Sequence, residues 1–358
     1  MKSAPLYSKT VIVAFLFWSA VGMSPGVPAP VHAEPYQSIG DRSTFIVQLE
    51  NDAFAKTDEH YTNAVKFDWI SKDLRKIGEH GVLPAWARWV AETVPGLSRE
   101  HALHNLAFSL GQNIYTPRDT DIVELIEDDR PYAGWTYLSA ALHTKDRDVL
   151  NSLELTLGIV GPSSFAEETQ KIVHEWLNDA DPQGWDNQLE DELGVMLTWQ
   201  GYWRVLGRSL GHGFAYDMIP HAGATLGNIF TYANFGGEIR FGYNLPRDFG
   251  SSLIRPGGGT AAPVSRRDPR LSSVRDFSLS FFVGVDGRAV ARNIFLDGNT
   301  FRDSHSVDRN VFVADIDAGV SVIYKRVKLT YMHVYRTEEF EGQDDGQTFG
   351  SVAMAVTF

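Results

Sequence analysis

His174 and Gln170 are the two side chains whose spacing best suits joint chemistry. They stand four residues apart within 163–178, a segment predicted to be a helix, so both lie on one helix face. A histidine changes charge near neutral pH, and His174 could therefore remove a proton from a water molecule. The alternative is an ordinary helix histidine that faces solvent or the core. The spacing makes His174 a candidate general base and leaves both readings open.

A second polar group is predicted where two strand-like segments meet. Asn51 and Asp52 end the first segment, and Thr62 lies at the start of the next. A hairpin would bring them together, with Asp52 on the same face as Gln48 and Glu50. Carboxylate, hydroxyl and carbonyl oxygens are the ligands that Ca²⁺ prefers. The alternative is a polar hairpin rim without a metal, since acidic residues are common in turns.

Basic residues offer a third kind of chemistry. Asp129 and Arg130 are predicted to form an ion pair inside the fold, while Arg130 or Arg118 could instead hold an anionic phosphate.

The elements that must position these groups are strands. Apolar and polar residues alternate, which is typical of strands with one apolar face. An even number of such segments returns both chain ends to one side of a sheet or barrel. The last segment ends on Phe358, as expected of a strand that closes a membrane barrel. Twelve segments can be marked, near 42–52, 60–72, 102–115, 132–146, 149–162, 192–206, 211–226, 229–243, 275–293, 307–324, 325–340 and 348–358.

The first 33 residues are typical of a secretory signal peptide. Lys2 and Lys9 precede the apolar run 11–18, and a small-x-small pattern ends at Ala33. The alternative, a membrane-anchor helix, would need about 20 apolar residues. We expect cleavage after Ala33, which leaves 34–358 as the mature domain.

Composition narrows the fold class. The chain has no cysteine, so disulfides cannot stabilise it, and no apolar run after the signal could span a bilayer as a helix. Lipid cannot satisfy an open sheet edge, so a membrane protein of this kind must be a closed barrel. We predict an all-β, closed antiparallel transmembrane β-barrel of twelve strands with short helices in extracellular loops. The soluble alternative is a β-sandwich. The net charge of -13 argues against a nucleic-acid partner.

Three connections between strands stand out. Residues 86–94 are predicted to form a short amphipathic helix. The helix at 163–178 would take Ser163 or Ser164 as its N-cap. The stretch 244–274, rich in glycine, proline, serine and arginine, is predicted to be a mobile loop.

Several of these motifs together resemble the lipid A 3'-O-deacylase family, which is LpxR-like. The matching pieces keep the family's order from the first strand to about residue 200. They are Glu50-Asn51-Asp52, Tyr61-Thr62, Gln112-Asn113-Ile114-Tyr115-Thr116-Pro117, Asp129-Arg130, Gly158-Ile159-Val160-Gly161-Pro162, Gln170 with His174, and Trp185-Asp186-Asn187-Gln188-Leu189-Glu190.

The resemblance implies an outer-membrane hydrolase that removes the 3'-linked acyloxyacyl group from lipid A of lipopolysaccharide, with Ca²⁺ as cofactor. It implies an active site between the outer barrel wall and a loop helix. His174 would be the base, Asn51 and Gln170 would orient the water, the metal or the carbonyl, and Asp52 and Thr62 would hold Ca²⁺. The resemblance implies two adjacent basic residues in a loop that would meet lipid phosphate. This chain departs from that pattern, because Arg118 is followed by the acidic stretch Asp119-Thr120-Asp121.

Two other functions fit the same barrel. A serine-based outer-membrane phospholipase would need a hydroxyl beside a histidine, for which His143 or His221 near Ser139 or Thr225 are candidates. A porin-like barrel would need an open lumen. We expect a monomer in the outer membrane, with lipopolysaccharide as its partner.

Overall fold

In the computed structural model of the protein, the fold is described for residues 42–52, 63–74, 102–177, 180–251, 253–257, 262–264, 268–272 and 276–358. The predicted signal peptide, the predicted helix at 86–94 and Thr62 lie outside these ranges.

The described chain is a closed antiparallel β-barrel, as predicted. Apart from β6 and β7, strands adjacent in sequence pair with each other. β1 pairs with β13, and β6 and β7 both pair with β8, which closes the ring. The strands are β1 (Thr44–Asn51), β2 (Asn63–Ile70), β3 (Leu103–Tyr115), β4 (Ala133–Lys145), β5 (Val149–Val160), β6 (Glu192–Trp203), β7 (Leu206–Gly211), β8 (Phe214–Gly227), β9 (Phe230–Tyr243), β10 (Phe277–Asn293), β11 (Phe312–Tyr324), β12 (Val327–Arg336) and β13 (Gln347–Thr357).

The strands β6 and β7 are two parts of one barrel strand, so the barrel has twelve. The register with β8 shifts by one residue between Tyr202–His221 and Leu206–Met218. One extra residue in one strand is a bulge, and a bulge re-aims side chains. The guanidinium of Arg204 at this point bonds Asp217 in the interior. The sequence prediction ended this strand near residue 206 and missed its second part.

Side-chain alternation gives the wall an apolar outer face and a polar inner face. On β1, Phe45 and Leu49 are exposed outside, while Gln48 and Glu50 are buried inside. This pattern leaves lipid in contact with apolar side chains and the polar groups within the lumen. The strands form one closed sheet rather than two sheets packed face to face, so the alternative of a soluble β-sandwich is excluded.

The connection between β9 and β10 enters the barrel, so the prediction of a mobile loop at 244–274 is wrong for its described residues. Asp248 is fully buried and pairs with Arg240, Arg270 and Lys328. Farther along, Arg255 bridges Asp286 of β10 and Asp315 of β11. These buried ion pairs outweigh the flexibility that the composition indicates, because an unpaired charge inside the barrel would be costly. We call the described residues within 244–276 the plug.

Among the described residues, two α-helices lie in the connections: α1 (Ala166–Leu177) and α2 (Ile294–Asp297). No helix in the described ranges is long and apolar enough to cross a bilayer. The barrel end that carries Thr44 and Thr357 is taken as periplasmic, so α1 lies at the extracellular end.

Candidate functional site

The helix α1 packs against the outside of the barrel wall. Alternation points Ile114 of β3 and Gly134 of β4 outward, yet both are buried, and Ile114 packs with Ala166, Tyr132 and Trp185. A Cβ atom added to Gly134 would lie 2.2 Å from the Cβ of Ala166. Only glycine lets the helix approach the strand this closely. The site therefore lies on the lipid-facing side of the barrel, outside the lumen.

The start of α1 differs from the prediction of a serine N-cap. The helix begins at Ala166, after a turn in which Phe165 adopts left-handed backbone angles with φ 58°. Ser163 instead donates its hydroxyl to Asp191 at 2.6 Å. The backbone carbonyl of Ser164 accepts from Gln112 at 2.8 Å and Thr136 at 2.7 Å, both on the wall. Strand side chains, rather than a cap, fix where the helix starts.

Gln170 lies on the buried face of α1. Its side chain is 1 % exposed, and its Oε1 atom accepts a 2.9 Å hydrogen bond from the indole Nε1 of Trp185. Its Nε2 group has no hydrogen-bond partner among the described residues. A buried donor without an acceptor is costly, which makes it a group that a substrate or water could satisfy.

His174 lies one turn farther along α1 and is also buried. Its Nδ1 atom is 2.5 Å from the backbone carbonyl oxygen of Ala180. A carbonyl oxygen can only accept, so Nδ1 carries the proton of this bond. The Nε2 atom of the neutral ring is then the proton acceptor. This tautomer is the one that a general base working through Nε2 requires.

Asn51 belongs to the same outer row of the wall as the residues beneath α1. Register pairs Asn51 with Asn63, Asn63 with Ile114, and Ile114 with Gly134. Opposed residues in an antiparallel sheet point to the same face, and neighbouring strands are about 4.8 Å apart. Asn51 is thus two strands from Ile114, or about 10 Å along the row. The barrel therefore brings Asn51 to the edge of the surface that α1 covers.

Asp52 follows directly at the extracellular rim and is 2 % exposed. Its carboxylate is a hard oxygen donor of the type that Ca²⁺ accepts. Within the described ranges no group of three or more histidine or acidic side chains could hold a metal ion. Asp52 is the only one of the two predicted metal ligands that the described structure includes, because Thr62 lies outside the described residues.

The two arginines occupy different environments. Arg118 is half exposed and pairs with Asp344 at 2.7 Å. Arg130 is buried, pairs with Glu339 at 2.8 Å, and lies over the rings of Tyr115 and Phe340.

The prediction that Arg130 pairs with Asp129 is wrong, because Arg130 pairs with Glu339 instead. The carboxylate of Asp129 accepts instead from the backbone N–H groups of Arg118 and Arg130. Sequence proximity suggested the pair, but Glu339 comes from 209 residues away. Arg118 is therefore the more accessible of the two arginines.

The residues of the serine-based alternative do not come together in the described structure. Ser139 and His143 are four residues apart on β4, about 13 Å along a strand, and neither Ser139 Oγ nor His143 Nε2 has a hydrogen-bond partner. His221 instead pairs with Asp286 at 2.8 Å. Thr225 contacts the hydroxyl of Thr198 at 3.0 Å.

Trp185 packs beneath α1 and bonds Gln170, a role that the sequence did not reveal. Its indole is 2 % exposed and packs on Tyr132 with ring centroids 5.0 Å apart. In the sequence this tryptophan is the first residue of a family motif, and the structure shows that it packs against Ala166 of α1. Its hydrogen bond to Gln170 was not predicted, because no local pattern reveals a contact made across a loop.

Taken together, the fold and the site define an outer-membrane β-barrel that holds a polar loop helix against its lipid-facing wall. The chain matches the family described as "Outer membrane protein LpxR" over residues 15–358, and it belongs to that family. No curated protein sequence matches the chain.

Two solved structures are similar to the chain at low sequence identity. LpxR from Salmonella typhimurium superimposes with a TM-score of 0.66 at 17% identity, covering 88% of this chain and 100% of that one. The β domain of the Bordetella autotransporter BrkA gives a TM-score of 0.41 at 9% identity, covering 88% and 98%. The first of these likenesses agrees with the twelve-stranded fold.

Proposed function

We propose that this protein removes the 3'-linked acyloxyacyl group from lipid A in the outer leaflet, by attack of a water molecule that His174 activates. The observation that carries the proposal is the pair on α1: a histidine held in the Nδ1–H tautomer, one turn from a buried amide donor without a partner. Membership of the LpxR family supports lipid A as the substrate. The pair lies on the lipid-facing side of the wall, which is the side from which a lipid of the outer leaflet would approach.

The chemistry follows from the hydrogen bonds. The carbonyl of Ala180 holds Nδ1–H, so Nε2 of His174 accepts a proton from water while the water oxygen attacks the ester carbonyl carbon. The resulting tetrahedral intermediate breaks its bond to the sugar oxygen. The imidazolium returns its proton to that oxygen, which yields a free sugar hydroxyl and a carboxylic acid. No serine nucleophile is required.

The remaining residues bind and orient. Gln170 can donate from Nε2 to the water or to the developing oxyanion. Such a hydrogen bond stabilises the oxyanion more strongly in a site without bulk water than in solution. Asn51, at the edge of the same outer surface, can orient the water or the ester carbonyl. Arg118 can pair with a lipid phosphate, because its partner Asp344 is exposed and replaceable. Arg130 would have to leave Glu339 to do so.

We also propose Ca²⁺ as cofactor, held by Asp52 and Thr62. Asp52 is a suitable oxygen ligand at the rim, and the family resemblance supports the rest. When bound, the ion would polarise the ester carbonyl as a Lewis acid.

Mass spectrometry of lipid A tests the proposal. Cells that express the protein should lose the mass of the 3' acyloxyacyl unit, and cells without it should keep that unit. Purified protein should lose activity in excess chelator and regain it with Ca²⁺. An unchanged lipid A mass spectrum would refute the function, and activity in excess chelator would refute the cofactor. Labelling by a serine-directed fluorophosphonate would favour the phospholipase alternative.

A further inference from the structure

We propose that Trp185 is a positioning residue that fixes the orientation of the Gln170 amide. This inference rests on the proposed function, since it states how the donor of the site is aimed. It concerns the segment 180–187, which follows α1 and folds back beside it. We call this segment the clamp.

The chemistry of the two side chains sets the orientation. An indole N–H can only donate, so the atom of Gln170 that faces Trp185 must be the carbonyl oxygen. A flipped amide would place two donors against each other inside a buried site. The Nε2 group is therefore held away from Trp185, where the described residues give it no acceptor. Trp185 thus makes Gln170 a donor to whatever occupies the site.

The indole itself has little freedom. It packs in one cluster with Ile114 of the wall, Ala166 of α1 and Tyr132, and it opens a short 3-10 helix, Trp185–Asn187. A Cβ atom on Gly184 would lie 2.5 Å from the ring of Tyr132. The backbone therefore passes so close to Tyr132 that the indole position is determined by packing.

The loop between β3 and β4 holds the clamp from the other side. The backbone N–H of Gln183 donates to the carbonyl of Thr120, and the side chain of Asn187 donates to the carbonyl of Val123, both at 2.8 Å. Burial raises the pKa of Tyr132 to about 12, so its hydroxyl stays protonated and donates to Thr120 at 3.4 Å.

The same clamp also supplies the carbonyl that bonds His174. Ala180 lies five residues before Trp185, and its oxygen holds the histidine Nδ1–H. One segment therefore sets both the histidine tautomer and the direction of the amide. The β3–β4 loop, which bonds Gln183 and Asn187 of the clamp, thereby helps to hold both groups in place.

The test replaces Trp185 by phenylalanine, which keeps a ring in the cluster but removes the N–H donor. We expect kcat for lipid A deacylation to fall roughly tenfold, the size of one lost hydrogen bond, with KM unchanged. Trp199→Phe is the matched control, because the buried Nε1 of Trp199 has no partner in the described structure. An unaltered kcat in Trp185→Phe would overturn the proposal, as would an equal fall in the control.

A double-mutant cycle separates positioning from general damage. In a Gln170→Ala background, Trp185→Phe should have no further effect on kcat, since the amide it orients is gone. Independent, multiplicative losses would contradict the inference.

A spectroscopic arm keeps the inference testable if the proposed function fails. In detergent, Gln170→Ala should shift the indole N–H NMR signal of Trp185 and leave that of Trp199 in place. A wild-type protein that leaves lipid A intact, yet shows this shift, would refute the function but keep the contact. An unmoved Trp185 signal would refute the positioning inference alone.

Discussion

Gly134 and Ala166 meet where the outer face of β4 touches the first residue of α1. The absence of a side chain at Gly134 creates this contact, because an added Cβ would lie 2.2 Å from the Cβ of Ala166 and 2.1 Å from the Oγ of Ser164. Backbone and helix cannot both keep their places if that volume is filled. The position of His174 and Gln170 on the barrel wall depends on this one approach.

We therefore expect Gly134→Val to displace α1 and reduce deacylation at least a hundredfold, while the barrel still folds. Heat-modified migration in gel electrophoresis would check folding, and lipid A mass spectrometry would check activity. Gly207→Ala is the control, because a Cβ there would meet its nearest neighbours at 3.8 and 4.0 Å. Full activity in Gly134→Val would show that the wall contact does not position the site.

Replacing His174 by glutamine should abolish deacylation, because the amide cannot take a proton from water at neutral pH. The measurement is the rate of 3' chain release in detergent–lipid A micelles. Lys171→Ala on the same helix should keep normal rates, since Lys171 pairs with Glu167 on the partly exposed surface. Release at the wild-type rate by the His174 variant would remove this residue from the mechanism.

The buried pair of Arg130 and Glu339 should be important for stability. Arg130→Ala leaves the Glu339 carboxylate buried without its nearest cation, since Arg336 lies at 3.8 Å, and we expect this to cost about 3 kcal/mol in the free energy of unfolding. The half-exposed Arg118–Asp344 pair is the contrast, and Arg118→Ala should cost less than about 1 kcal/mol. Urea unfolding in detergent would measure both. Equal losses would contradict the difference in burial.

Because the plug enters the barrel, we expect the wild-type protein to conduct ions poorly. Asp248→Ala removes the carboxylate shared by Arg240, Arg270 and Lys328, leaving three cations close together inside the barrel. Their repulsion should release the plug and raise single-channel conductance in planar bilayers well above the wild-type level. Asp344→Ala, at an exposed loop position, should leave conductance unchanged. A large conductance in the wild-type protein would instead favour the porin function.

Acid should release the plug in the same way. Burial raises the pKa of Asp248, but Lys328, Arg240 and Arg270 lower it by more, so its net pKa lies below the ordinary value. A carboxyl group whose folded pKa is depressed stabilises the fold above the unfolded pKa, near 4, and loses this contribution as pH falls through the folded pKa. The contribution of Asp248 to stability should therefore stay constant from pH 7 to about 5 and decline below about 4, with conductance rising as the plug is released. A transition near pH 6 would point to another group.

The sequence predicted the barrel well because alternation is a local property. Residues such as Phe45, Gln48 and Leu49 show their faces without any knowledge of their neighbours, and the lipid requires every strand to follow the rule. The helix at the site was likewise predicted, although its first residue was not. The bulge at Arg204 was missed, because the residues of β7 that follow it are all exposed and show no alternation that would reveal the change of face.

Contacts between distant parts of the chain could not be predicted in this way. The pairing of Arg130 with Glu339 joins residues 209 apart, and the plug depends on charges from several strands that meet only inside a closed ring. The sequence by itself determined the strand pattern, the polar and apolar faces and the candidate residues His174, Gln170, Asn51 and Asp52. Tertiary structure alone decided that α1 lies outside the wall and which partners hold its side chains. The physical reason is that periodicity is written in neighbouring residues, whereas packing and ion pairing depend on closure of the barrel.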